Sequence, residues 1–245
     1  GAYLIHGYTA SGVVFAMLAA VELCGREPDP RWVFGWLAVA LFIDATDGPL
    51  ARAARVKSRL PAIDGRTIDD LVDYLTFTFL PLLLVWRMGW LPGASTGGEG
   101  MDLSLAWIAP AMIASLFGFA NQDAKDERNG MFQGFPSYWN LFAYYAGFWA
   151  TQGAAWLSAA LLVVFAALTV LPVRFVYPNL APAPWRVPLL AGAGVWALLL
   201  VGLLPWYPEA PAWLMWGSLA YPAAYFALSA WLDCRQPRPV ERETP

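Results

Sequence analysis

The chain has 245 residues, 59% of them hydrophobic and 13% charged, with 14 Trp and a mean hydropathy of +0.49. A soluble domain carries about 25% charged residues, so a water-soluble globule is excluded. A polytopic integral membrane protein of all-α class is expected, with residues 1–245 forming a single membrane domain. The net charge of −3 carries little by itself, no nucleic-acid partner is expected, and the placement of the charges is what informs.

A membrane-crossing helix needs about 20 mostly apolar residues. The pattern predicts eight such spans, at about 4–24, 31–53, 64–88, 103–121, 137–151, 154–176, 186–206 and 211–232. The first is read as a span and not as a cleaved leader. Residues 24–31 (CGREPDPR) are short, polar and proline-containing, which predicts a tight turn. Residues 91–102 predict a glycine-rich loop without Lys or Arg, 121–137 a polar loop of mixed charge, and 177–186 a proline-rich connector. With the N-terminus inside, twelve of the Lys and Arg side chains fall on the inner side and three (Arg26, Arg31 and Arg87) on the outer. That asymmetry fits the positive-inside rule and puts both termini on the cytoplasmic side. Trp32, Trp36, Trp86, Trp90, Trp206 and Trp213 fall near outer span ends, as an aromatic belt does. Cys24 and Cys234 then lie on opposite sides, so no disulfide between them is expected.

Residues 44–73 stand apart. Asp44 and Asp47 are spaced i, i+3 and Asp69 and Asp73 i, i+4, so each pair projects from one helix face. All four fall in the cytoplasmic half of the second and third spans, where carboxylates are costly and mark function. Four acids at one level repel one another unless cations balance them. Oxygen-only ligation selects hard ions, so two Mn²⁺ or Mg²⁺ ions are expected. Gly48 and Ala51 keep the adjoining helix face open, Arg52 offers a guanidinium to phosphate, and Gly65 allows close approach at the start of the next helix. Asp64 and Asp70 read as ordinary interfacial charges, and Glu22 as structural.

The series Asp44-x-x-Asp47-Gly48-x-x-Ala51-Arg52, followed by Gly65-x-x-x-Asp69-x-x-x-Asp73, resembles the signature of the CDP-alcohol phosphotransferase family. The resemblance implies a six-helix membrane core, here with two extra helices, and transfer of a substituted phosphoryl group from a CDP-linked donor to an alcohol. It implies that Asp44, Asp47, Asp69 and Asp73 ligate metal and that Asp73 also takes the proton of the alcohol. Gly48, Ala51, Arg52 and Gly65 would hold the CDP part, joined by Thr9 from the segment His6-x-x-Thr9-Ala10-Ser11-Gly12. Residues 53–64 form a spacer longer than is usual in the family. With the His6–Gly12 segment, Gly134–Asn140 and eight spans, it is similar to the bacterial branch that joins CDP-diacylglycerol to choline. That likeness implies an inner-membrane enzyme whose active site faces the cytoplasm, with CDP-diacylglycerol, choline and membrane lipid as partners. Family members are often dimers, and the two extra helices stand to cover or replace that surface.

Choline carries a quaternary ammonium that donates no hydrogen bond and is held by aromatic faces with an acid nearby. Tyr138 and Trp139, then Asp123 and Asn121, are the expected choline residues. Two alternatives stay open. The acceptor could be inositol phosphate, glycerol phosphate or serine, since Arg55, Lys57, Arg59 and Arg174 are available for an anion. A divalent-cation transporter is the remote reading, disfavoured because the acids cluster on one side and do not line a route.

Overall fold

Lipid offers the backbone no hydrogen-bond partners, so apolar stretches fold as helices that satisfy their own peptide groups. The computed structural model describes residues 2–56, 62–94, 102–121, 124–126 and 129–235. Within them, α1 (Ala2–Ala10) and α2 (Gly12–Leu23) form one apolar rod bent at Ser11, followed by α3 (Pro30–Ala53). Next come α4 (Gly65–Asp73), a π-helical turn (Tyr74–Phe79) and α5 (Leu80–Arg87). Then follow α6 (Leu105–Ala120), α7 (Trp139–Thr151), α8 (Ala155–Val170), α9 (Ala183–Leu203), α10 (Ala212–Ser218) and α11 (Ala220–Arg235). Three stretches, Tyr3–Leu23, Pro30–Ala53 and Ala183–Trp206, are long and apolar enough to cross a membrane by themselves. The protein is a helical membrane protein. Its surface fits lipid: Leu4, Phe42, Phe117, Val187 and Leu198 are more than half exposed, a distribution that water would not tolerate at this scale.

The centre is α7, in which every residue from Phe142 to Trp149 is buried. It packs against α5, the π-turn, α8 and α3, where Phe34 meets Tyr144 edge-on. Around it, α2 runs along α3 and α6 runs along α8.

Three departures from the sequence pattern have local causes. The expected helix 154–176 stops at Val170, because Pro172 disfavours helix at the residue before it. The chain then runs as β3 (Arg174–Val176), which pairs antiparallel with β2 (Met131–Gln133), and β2 with β1 (Lys125–Asp126). The loop expected over 121–137 thus carries two strands of a small sheet in an otherwise helical fold. The expected helix 211–232 is broken at Leu219, because Pro222 lacks an N–H and its ring would clash with the carbonyl of Ser218.

At the N-terminal end of α3, Asp29 caps the helix by accepting from the Arg31 N–H at 2.9 Å, with Pro30 in the first turn. Glu22 accepts from the Asp29 N–H at 2.9 Å, so its role is to hold this turn. Trp90 is a correction to the aromatic belt: only 6% exposed, it lies edge-on to Tyr207 in the core.

Candidate catalytic centre

Two helix ends build the centre. Near the end of α3, Thr46 back-bonds to the Phe42 carbonyl at 2.8 Å and meets the Tyr8 hydroxyl at 2.8 Å, which ties α1 to the acid-bearing face. Asp64 caps α4, accepting from the Arg66 N–H at 3.1 Å and the Thr67 hydroxyl at 2.8 Å. Asp70 pairs with Arg66 one turn away at 3.4 Å. Both acids therefore have structural partners, as interfacial charges do. Gly65 follows the cap directly. A Cβ there would come within 2.6 Å of the His6 ring, so the glycine is what lets α1 close against the start of α4.

These helices bring Asp44, Asp47 and Asp69 together, with one carboxylate oxygen of each within 4.8 Å of the others. Asp47 is buried, and the other two are half-buried. Three hard oxygen donors at this spacing fit a hard divalent cation. Asp73 stands beside the triad and not within it: Asp44, Asp69 and Asp47 are its principal charged neighbours. It is the last residue before the π-turn, a rare feature that recurs at functional sites.

The triad borders a cavity of about 740 Å³, lined among others by Thr9, Asp47, Gly48, Ala51, Arg52 and Gly65. The structure thus brings together all five residues expected to hold the CDP part. Arg52 folds back over Gly48, its Nη1 3.4 Å from where a Cβ on that glycine would stand. Arg55, Arg66 and His6 also line the cavity. His6 Nε2 is buried with no hydrogen-bond partner among the described residues. The sequence signal for His6 was its place in the His6–Gly12 segment.

The expected choline residues separate. Tyr138 stands at the start of α7, half-buried, with Tyr177, Asp44, Tyr221 and Asp73 as electrostatic neighbours. Trp139 is turned the other way. It is fully buried and donates from Nε1 to the Ser115 hydroxyl at 2.7 Å, packed against Phe135 and Phe142. That position makes it a packing residue with no face left for a ligand. Asn121 ends α6 and is half-buried, whereas Asp123, Lys57 and Arg59 lie outside the described residues. Arg174, one of the cations available to an anionic acceptor, is buried in an ion pair with Asp233 at 2.5 Å.

A cavity in which Arg52, Arg55 and Arg66 face Asp47, Asp64 and Asp69, at the edge of an apolar helical bundle, fits a membrane enzyme that works on a charged group. Comparison with known proteins narrows it. The chain is 34% identical to a phosphatidylcholine synthase of Pseudomonas aeruginosa, over 96% of this chain and 93% of the relative. It is 33% identical to one of Mesorhizobium japonicum, over 85% and 75% of the two chains, and 35% identical to one of Legionella pneumophila, over 73% and 65%. The chain belongs to the phosphatidylcholine synthase family. No protein-family model matches it, and no solved structure matches it.

Proposed function

We propose that the protein transfers the phosphatidyl group of CDP-diacylglycerol to choline, giving phosphatidylcholine and CMP. The observation that carries the reading is membership of the family together with an acid triad opening on a cavity lined by arginine and glycine. The CDP part lies in that cavity against Gly48, Ala51, Arg52, Gly65 and Thr9, with His6 Nε2 offered to its phosphate or base. Asp44, Asp47 and Asp69 would hold the divalent ions, Mn²⁺ or Mg²⁺, with Asp73 completing the set. When bound, two such ions neutralise charge on the diphosphate. Asp73 takes the proton of the choline hydroxyl as its oxygen bonds to the phosphorus bearing diacylglycerol. The bond from that phosphorus to the CMP oxygen breaks, and CMP leaves. No covalent enzyme intermediate is needed, since positioning and charge stabilisation supply the rate.

The eight-span arrangement, with the triad and both termini on the cytoplasmic side of a bacterial inner membrane, is the topology this reading carries. It leaves the acyl chains in lipid and the nucleotide in the cytosol. The pairing of Arg174 with Asp233 supports choline over an anionic acceptor. The test is an assay of purified protein with CDP-diacylglycerol and Mn²⁺, following CMP release with choline, serine, inositol phosphate or glycerol phosphate. Release is expected with choline, and stimulation by inositol phosphate but not choline would overturn the reading.

A further inference from the structure

A second cavity, of about 490 Å³, lies between α7 and α8 on one side and α9 and α11 on the other. Its lining consists wholly of aromatic, aliphatic and proline side chains, with no charged residue among them. Aromatic rings dominate one part of it. Phe135 stands edge-on to Tyr138 at 6.4 Å and stacks on Phe226 at 6.4 Å, while Tyr225 meets Phe226 edge-on at 5.7 Å. The polar ends of two tyrosines are committed elsewhere: the Tyr225 hydroxyl donates to the Val176 carbonyl at 2.9 Å and that of Tyr221 to the Leu189 carbonyl at 3.0 Å. Their hydroxyls are tied down, so the rings are fixed and what they offer the cavity is π surface.

Tyr138 is the residue of this cavity that has Asp44 and Asp73 among its electrostatic neighbours. It immediately precedes α7, the helix that packs on both α3 and the π-turn after Asp73. A space walled by aromatic faces, poor in hydrogen-bond donors and acceptors and adjoining a cluster of carboxylates, suits one kind of ligand group. That group is a cation with no hydrogen bond to give. A primary ammonium or a phosphate would leave its hydrogen bonds behind in water on entering, at a cost of several kcal/mol.

We propose that the end of this cavity at Tyr138 is the acceptor-headgroup site, where Tyr138, Tyr221, Tyr225 and Phe226 hold the quaternary ammonium, with Phe135 buried behind them. The inference rests on the choline reading above and deepens it. Three of these four rings come from α11, so the C-terminal helix supplies the selectivity for acceptor. The hydroxyl arm of the acceptor then reaches past Tyr138 toward Asp73.

Kinetics of purified variants in mixed micelles test this, with Phe226→Leu and Tyr225→Leu removing a ring and Phe226→Tyr and Tyr225→Phe keeping it. The Leu variants are expected to raise the KM for choline about tenfold, the effect of losing one desolvated cation–π contact. The KM for CDP-diacylglycerol is expected to stay put, and the ring-keeping variants to raise the KM for choline less than the Leu variants do. Tetramethylammonium is expected to compete with choline in the wild type and to lose potency in the Leu variants. An unchanged choline KM in folded Leu variants, or a change confined to the KM for CDP-diacylglycerol as an acyl-chain slot would give, overturns the headgroup site. A wild-type protein that releases no CMP with choline overturns instead the reading on which the site rests. If the Leu variants fail to fold, tetramethylammonium that does not compete with choline in the wild type overturns the site.

Discussion

On the proposed function, Asp73 and the triad beside it divide the labour of one acid cluster. Asp44, Asp47 and Asp69 converge, while Asp73 stands next to them at the edge of the π-turn. Asp73→Asn is therefore expected to lower kcat by about a hundred- to ten-thousandfold, the range for a lost general base, while CDP still binds in the presence of Mn²⁺. Calorimetry on the variant checks this, and loss of CDP binding with the fold intact would make Asp73 chiefly a ligand. Asp47→Ala is expected to abolish the thermal stabilisation that Mn²⁺ gives the wild type, read from unfolding in detergent with and without the ion. His6 offers a test of a different kind. A hydrogen bond to a charged group is worth about 1.5–3 kcal/mol, so His6→Ala is expected to weaken CDP binding about tenfold or more. Gly65→Ala would drive a methyl group into the same ring, an overpacking that costs about 1–3 kcal/mol. The double variant is expected to regain that stability but not the affinity, which separates the packing role of His6 from its contact with nucleotide.

Helix α3 carries half the acids, and its start is anchored 15 residues away from Asp44 by the Asp29 cap. The Arg31 side chain hydrogen-bonded to Asp29, with the Arg31 N–H, holds that carboxyl below its ordinary value of 3.8. A carboxyl whose folded pKa is depressed contributes stability above its ordinary value and loses it as pH falls through the depressed one. Asp29→Ala is thus expected to cost about 1 kcal/mol at neutral pH, and the difference from wild type to vanish in acid below the ordinary carboxylate range. Melting curves of both proteins across pH check the sign. The helix pair itself was legible in the residues: the i, i+3 and i, i+4 acid spacings need only helical geometry to share a face. The π-turn was not. Nothing in Tyr74–Phe79 distinguishes it from ordinary apolar helix, and its widening depends on what α2, α3 and α7 pack against it.

Across the molecule, the C-terminal helix is fastened to the rest through the small sheet. Arg174 in β3 pairs with Asp233 near the end of α11, with the Arg174 side chain only 6% exposed and that of Asp233 14%. Breaking one side of such a pair leaves a buried charge, so Arg174→Met is expected to destabilise the protein by about 3–5 kcal/mol. Denaturation in detergent measures this, and Asp233→Asn in the same chain is expected to recover part of the loss. The same pair shows how far charge counting reaches. From the sequence Arg174 is one more cation on the inner side; only folding shows that it is already engaged. The class of protein, its helical nature and the acid and glycine positions of the centre were determined by the sequence alone, because hydrophobic length and helical periodicity are properties of neighbouring residues. Which of two adjacent aromatics stays partly exposed was decided by the tertiary structure. Tyr138 and Trp139 are equivalent by composition, but Ser115, 24 positions from Trp139, takes its indole N–H and commits it to the core. The convergence of Tyr221 and Tyr225 on Tyr138 was decided in the same way. Contacts between residues this far apart in the chain depend on how the helices pack, and no local pattern encodes that.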